Sequence, residues 1–191
     1  YLKVSLVKNS YIATTSYTIY DIVNIIINSG NKPLFVDIDR NSLSPDINEL
    51  ITLVTEKKVS CVIFTYLHGY KVDISELAIT CKENNCILIE DCAQSIHMKN
   101  WGNKKYLPGS YGDASLFSTG LYKNINTIQG GLLALNSKDK KTEKLIKSHR
   151  LLDSNITFEF LYKLIYGVLF KLMTNNLIFG LFTFRILKFA R

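Results

Sequence analysis

Two short apolar runs, VSCVIFTY at 59–66 and CILIED at 86–91, flank the stretch DISELAITCKENN at 73–85. Each run is rich in aliphatic residues and too short for a buried helix, so both read as strands. The stretch between them reads as a helix opened by Asp73 and Glu76 at the spacing of a capping box. Strand, helix and strand in this order are the repeating unit of an α/β domain with a mostly parallel sheet.

The alternation continues on both sides. IYDIVNIIINSGNKPLFVDID (19–39) predicts a helix stopped by Gly30, which supplies a left-handed cap, and then a buried strand, LFVDI. Pro33 keeps that helix from resuming. SPDINELITLV (44–54) predicts a second helix, with Ser44 as N-cap, Pro45 at the first helical position and Asp46 against the dipole. ASLFS (114–118) and GLLAL (131–135) are two further short apolar segments read as strands. No internal repeat or low-complexity linker breaks the pattern. The expected organisation is a layered α/β domain over 1–150 and a hydrophobic, basic helical segment over 151–191.

A chain of 191 residues, 47% hydrophobic and 20% charged, is globular and long enough to bury a substantial core. It starts at Tyr1 and is expected to be a piece of a longer protein. Cys61, Cys81, Cys86 and Cys92 form no CxxC pair and have no adjacent histidine. They read as reduced core residues of a cytoplasmic protein, and no metal site is expected. The net charge of +7 gathers in KDKKTEKLIKSHR (138–150), read as the solvated face of a helix, and in the segment after Glu159. No stripe of arginines alternates with exposed aromatics, so nucleic acid is not an expected partner.

In parallel sheets ligands bind beyond the carboxyl ends of the strands. CILIED is apolar until its last two residues, so it either delivers Asp91 to that crevice or merely opens a polar loop. Lys123 is the only charged residue of FSTGLYKNINTIQGG (117–131), between two predicted strands. It reads as an ordinary loop cation or as a chemical reagent. An amine that forms a Schiff base and a carboxylate that keeps a pyridinium nitrogen protonated are the pair that pyridoxal 5'-phosphate requires. Burial and nearby positive charge make such an amine a nucleophile and base near neutrality. Asp37 and Asp39 also end a strand, but DIDRNSLSPD has the composition of a surface turn and is assigned no chemistry.

Over residues 10–150 the phrases SYIATTSYTI, GNKPLFVDID, LIEDCAQS, GSYGDASLFS, YKN and QGG follow one another in order. This succession resembles the DegT/DnrJ-type sugar aminotransferases, a branch of the fold-type I pyridoxal-phosphate enzymes. Its most specific part is EDCAQ with a lysine 32 positions after the aspartate and Ser118 five residues before that lysine. The resemblance implies the three-layer large domain of a fold-type I enzyme. It also implies that Lys123 forms the Schiff base and shuttles the proton, while Asp91 holds the pyridinium nitrogen. Gln94 would reach the phenolic side of the ring, Ser118 would help anchor the phosphate, and Tyr11 would stack on the ring face. The implied reaction is transamination of a nucleotide-linked keto sugar in surface-polysaccharide or amino-sugar synthesis, with glutamate as donor. A homodimer with sites shared between subunits goes with it.

Some positions depart from the family pattern. Gln129 stands where the family commonly has Glu, and Tyr66-Leu67-His68-Gly69 differs from its usual phrase. His68 and His97 therefore read as surface or core histidines. The family's Gly-Ser/Thr phosphate loop is expected upstream of Tyr1. An inactive relative with a scaffold or regulatory role and a sugar dehydratase of the same family are the alternatives; Lys123 argues against the dehydratase. A nucleotide-binding module of the doubly wound type lacks its GxGxxG.

After Ile156 the chain is dense in Phe, Leu and Ile, with a basic residue every few positions. Its longest charge-free run, LMTNNLIFGLFTF (172–184), has 13 residues, short of the ~18–20 needed to span a bilayer. The segment suits peripheral contact with an anionic membrane surface, or a helical arm covering the core or a dimer partner.

Overall fold

A computed structural model of the chain describes residues 8–70, 72–96, 107–120, 123–125, 127, 130–136 and 156–189. The chain divides into two compact units, Tyr1–Ile146 and Lys147–Arg191. The expected basic helix at 138–150, His97 and Gln129 lie outside the described residues.

In the first unit the strands are β1 (Tyr11–Thr15), β2 (Lys32–Val36), β3 (Cys61–Thr65), β4 (Ile87–Asp91), β5 (Ala114–Ser118) and β6 (Gly131–Leu135). They form one sheet in the order β2-β1-β3-β4-β5-β6. The first five are parallel, and β6 runs antiparallel to β5. Among the described residues three α-helices accompany them: α1 (Tyr20–Asn28), α2 (Ile47–Thr55) and α3 (Ser75–Glu83). The mostly parallel α/β sheet expected from the sequence is the sheet observed.

The pleat explains the layering. Successive residues of a strand face opposite sides of the sheet, so β3 splits its side chains between two cores. Cys61 and Ile63 join Ile12, Ile26 and Ile89 on the α1 side. Val62 and Phe64 join Leu50, Val54, Leu77 and Leu88 on the side of α2 and α3. Both faces are covered, which is why β3 is buried along its whole length and shows no polar alternation.

One local expectation holds and another shifts. Gly30 does take the left-handed conformation, with φ of 82°. The second helix, however, is capped by Asp46, whose carboxylate accepts the N–H groups of Asn48 and Glu49 at 2.9 and 3.1 Å. Ser44 and Pro45 are held back in an extended turn, where Ile38 bridges Pro45 and the Asp39 N–H donates to the Ser44 carbonyl at 2.9 Å. Further along, Asp73 accepts the Ser75 N–H at 3.0 Å, just ahead of α3.

In the second unit, α4 spans Ile156–Met173. Asn175 then accepts the Leu177 N–H at 3.1 Å and restarts the helix, which continues through Asn176–Ile178, a π-turn at Phe179–Thr183, and Phe184–Phe189. No helix among the described residues is long and apolar enough to cross a membrane.

Candidate active site

From β1 the chain passes outward to β2 and then returns to β3 on the other side of β1. Such a reversal leaves a crevice beyond the carboxyl ends of the strands. A cavity of about 350 Å³ occupies that end. Tyr17, Thr18 and Ile19 line it from the turn after β1, and Thr65 and Leu67 from the end of β3. Asp91, Ala93 and Gln94 line it from the end of β4, and Lys123 from the β5–β6 connection. A second lobe of about 380 Å³ shares Ala93, Gln94 and Lys123 and adds His68, Ile96, Ser118 and Asn124.

The two acids that end β4 part company at the pleat. Glu90 lies on the Tyr66 side and is fully buried. It accepts the Tyr66 hydroxyl at 2.8 Å, the Gly109 N–H at 2.7 Å, the Tyr111 N–H at 2.7 Å and the Gly112 N–H at 2.5 Å. Burial and the neighbouring Glu90 push the Tyr66 phenol far above its ordinary range. The loop fits this cradle because Gly109 has φ of +90°, and a Cβ there would collide with the Phe117 ring. A Cβ on Gly112 would stand 2.8 Å from the Leu88 carbonyl oxygen. Glu90 thus pins the 109–112 loop beneath β4 and feeds the chain into β5.

Asp91 faces the crevice. Its carboxylate accepts the Ala93 N–H at 3.1 Å and the Thr65 hydroxyl at 3.4 Å. Burial raises its pKa above the ordinary 3.8, while those two hydrogen bonds and the charge of Lys123 pull the other way. Desolvation dominates, so the carboxyl is short of positive partners in the chain by itself. A cationic N–H placed against it would stabilise its ionised form.

Lys123 is positioned by its own loop. Its backbone N–H donates to the Gly120 carbonyl at 3.2 Å, and the Asn124 amide donates to the Ile96 carbonyl at 3.0 Å. The second bond ties the lysine's loop to the segment that follows Asp91. Gln94 accepts the His68 N–H at 2.9 Å, joining the turns after β3 and β4. The Ser118 hydroxyl stands at the end of β5 and accepts the Gly120 N–H at 3.5 Å.

Four of the five residues singled out from the sequence, Asp91, Gln94, Ser118 and Lys123, therefore surround the two lobes. Tyr11 does not, and its expected stacking on a ring held there is corrected. It opens β1, four residues and ~13 Å of strand before the carboxyl end, and Lys32 Nζ lies 5.6 Å from its ring centroid. Among the described residues the aromatic that lines the crevice is Tyr17, whose ring lies 6.0 Å from that of His68. His68, read from sequence as a surface or core residue, lines the second lobe with a left-handed backbone, φ of 56°. Their signal was the polar phrase directly after a strand, SYT after β1 and YLHG after β3.

The arrangement offers a carboxyl, a primary amine and a hydroxyl around one crevice. That donor set fits a planar cation with an anionic substituent and an electrophilic carbon, which is the chemistry of pyridoxal 5'-phosphate.

Comparison with known proteins follows the same line. The model of the DegT/DnrJ/EryC1/StrS aminotransferase family matches residues 1–175. The GDP-perosamine synthase of Escherichia coli O157:H7 is 33% identical over 116 residues, 61% of this chain and 31% of that protein. The GDP-perosamine synthase of Vibrio cholerae is 33% identical over 122 residues, with 64% and 32% covered. This chain spans about a third of the length of these curated relatives. Among solved structures, the E. coli GDP-4-keto-6-deoxy-D-mannose-3-dehydratase with bound hydrated PLP has a TM-score of 0.61 and 26% identity, covering 70% of this chain and 33% of that one. The sugar aminotransferase CalS13 of Micromonospora echinospora has a TM-score of 0.59 at 24% identity, covering 71% and 38%, and shares the fold.

Proposed function

The chain belongs to the DegT/DnrJ/EryC1/StrS aminotransferase family, and from that premise we propose that it is part of a pyridoxal-phosphate-dependent aminotransferase acting on a nucleotide-linked keto sugar. The observation that carries the reading is the convergence of Asp91 and Lys123 on one cavity from distant parts of the sequence. The names of the relatives support the sugar class, and the family resemblance supports glutamate as donor and a homodimer.

When bound, the cofactor supplies an aldehyde that receives an amino group and a ring that accommodates the electron pair left on a deprotonated carbon. The chain's own residues do the rest. Asp91 holds a cationic ring N–H and is itself stabilised as an anion. Lys123 Nζ would be the amine that holds the aldehyde group and, when free, the base that takes and returns a proton. Ser118 helps hold the phosphate, and Gln94, fixed by the His68 N–H, borders the ring's polar edge.

The test is uptake of pyridoxal phosphate by the purified protein, followed by borohydride reduction and peptide mass mapping. The expected result is near-visible absorbance and a cofactor-sized mass increase on the Lys123 peptide alone. Lys123→Ala abolishes the mass increase and the transamination. A labelled peptide elsewhere, or a Lys123→Ala protein that still transaminates, rejects the assignment.

A further inference from the structure

We propose that the second unit, through the helices between Ile156 and Phe189, docks on the surface of an anionic lipid bilayer. In α4, Leu161, Ile165 and Leu169 follow one another at every fourth position, as do Leu164, Val168 and Leu172, so both rows share one broad face. All six side chains are about half exposed. An aliphatic surface of that extent is not left against water without a partner.

The flank of this face indicates the partner. Tyr162, Tyr166 and Phe170 form a third row, with successive ring centroids 6.4 Å apart. Immediately beside it runs the row Glu159, Lys163, Gly167 and Lys171, also at every fourth position, with one acid at its start and two lysines after it. The order around the helix is therefore aliphatic, then aromatic with two phenolic tips, then a row whose charges are mainly positive. This is the sequence of polarities met on leaving a bilayer from acyl chains through the interface to anionic headgroups. The helix after Asn175 continues the theme, with Leu177, Leu181 and Phe184 exposed and Arg185 and Lys188 following.

Charge makes the choice between lipid and protein. Between Ile156 and Phe189 the chain has four basic residues, Lys163, Lys171, Arg185 and Lys188, against one acid, Glu159, a net charge of +3. A second copy of the segment would repeat the same positive charge and oppose it. An anionic surface complements it. Because no described helix can cross the membrane, the contact is peripheral, with the helices lying in the interface.

The experiment is flotation of the 191-residue chain with phosphatidylglycerol–phosphatidylcholine vesicles and with phosphatidylcholine vesicles. Binding is expected to the anionic vesicles, weakened by salt, and to be much lower on the neutral ones. Removing three exposed charges as Lys171→Gln, Arg185→Gln and Lys188→Gln is expected to lower partitioning on the order of a hundredfold. The helical circular-dichroism signal of the same variant, compared with the parent's, serves as the check that its helices have formed. Indifference to both vesicle types, equal binding to both, or unchanged partitioning of the triple variant overturns the proposal. So does vesicle-independent pairing of two copies that is lost on changing Leu161 and Leu169 to Gln. The proposal does not depend on the cofactor chemistry, and its failure leaves the Lys123 mapping untouched.

Discussion

Replacing Glu90 by Gln isolates the device that holds the 109–112 loop. The carboxylate accepts five donors, the Tyr66 hydroxyl, the N–H groups of Gly109, Tyr111 and Gly112 and, at 3.5 Å, the Ser115 hydroxyl. An amide offers one oxygen and one NH₂. If the oxygen faces Tyr111 and Gly112, the NH₂ meets the Gly109 N–H, and only the Tyr66 hydroxyl can turn to accept. One buried N–H is then left without an acceptor, at a cost of about 1–3 kcal/mol. The bonds that survive also change from charge-assisted to neutral and lose roughly half their strength. A total near 3 kcal/mol is expected, a large part of the ~5–15 kcal/mol that stabilises an ordinary domain. Tyr66→Phe removes one donor and leaves three N–H groups on the carboxylate, so its loss is expected to be smaller, about 1–2 kcal/mol. Urea unfolding at neutral pH, with equal slopes for parent and variants, measures both. Glu90→Gln within about 0.5 kcal/mol of the parent, the ordinary range for a surface substitution, would refute the cradle. So would a Tyr66→Phe loss exceeding that of Glu90→Gln.

Asp91 carries a pH signature. Its folded pKa is raised above the ordinary 3.8, so the folded chain holds this proton more firmly than the unfolded one. Its contribution to stability is full below 3.8 and is lost as pH rises through the folded value. Asp91→Asn is therefore expected to gain stability relative to the parent as pH is raised from acid to neutral, in cofactor-free urea titrations, and to take up less pyridoxal phosphate. A stability difference that does not change across that range contradicts the assignment of desolvation as the dominant cause. At the opposite end of β1, Tyr11→Ala is expected to leave cofactor uptake within about twofold of the parent, whereas Tyr17→Ala lowers it. Spectrophotometric titration with pyridoxal phosphate separates the two, and the reverse ranking would return the ring to Tyr11.

What could be read from the sequence and what could not divide along physical lines. VSCVIFTY, CILIED and the Gly30 stop were legible because burial on both faces leaves an unbroken apolar run and a left-handed cap leaves a glycine. YIATT was not read as a strand. It has five residues, two of them threonines, and both faces are buried, so no alternation marks it. It nevertheless pairs with both β2 and β3. Missing its direction is what misplaced Tyr11, since a residue at the start of a parallel strand lies a full strand length from the crevice. The Ser44 cap failed for a different reason. Its local composition was right, but the Ile38–Pro45 bridge keeps the chain extended until Asp46. Asp91 and Lys123 were legible because one ends an apolar run and the other is a lone charge. Glu90 was not, because adjacent carboxylates look alike until the pleat sends one to the core and the other to the cavity.

The placement of β1 has a consequence for how this chain is made. It is the first of the described strands to leave the ribosome, yet its two edges are satisfied at different times, one by β2 and the other only when Cys61–Thr65 has emerged. Until then Ile12–Thr15 present an open, unpaired edge in an apolar setting, a template for pairing with another nascent chain. The interval between the emergence of those two segments is therefore one in which a nascent chain can pair wrongly, and a helper that shields exposed strands would act there.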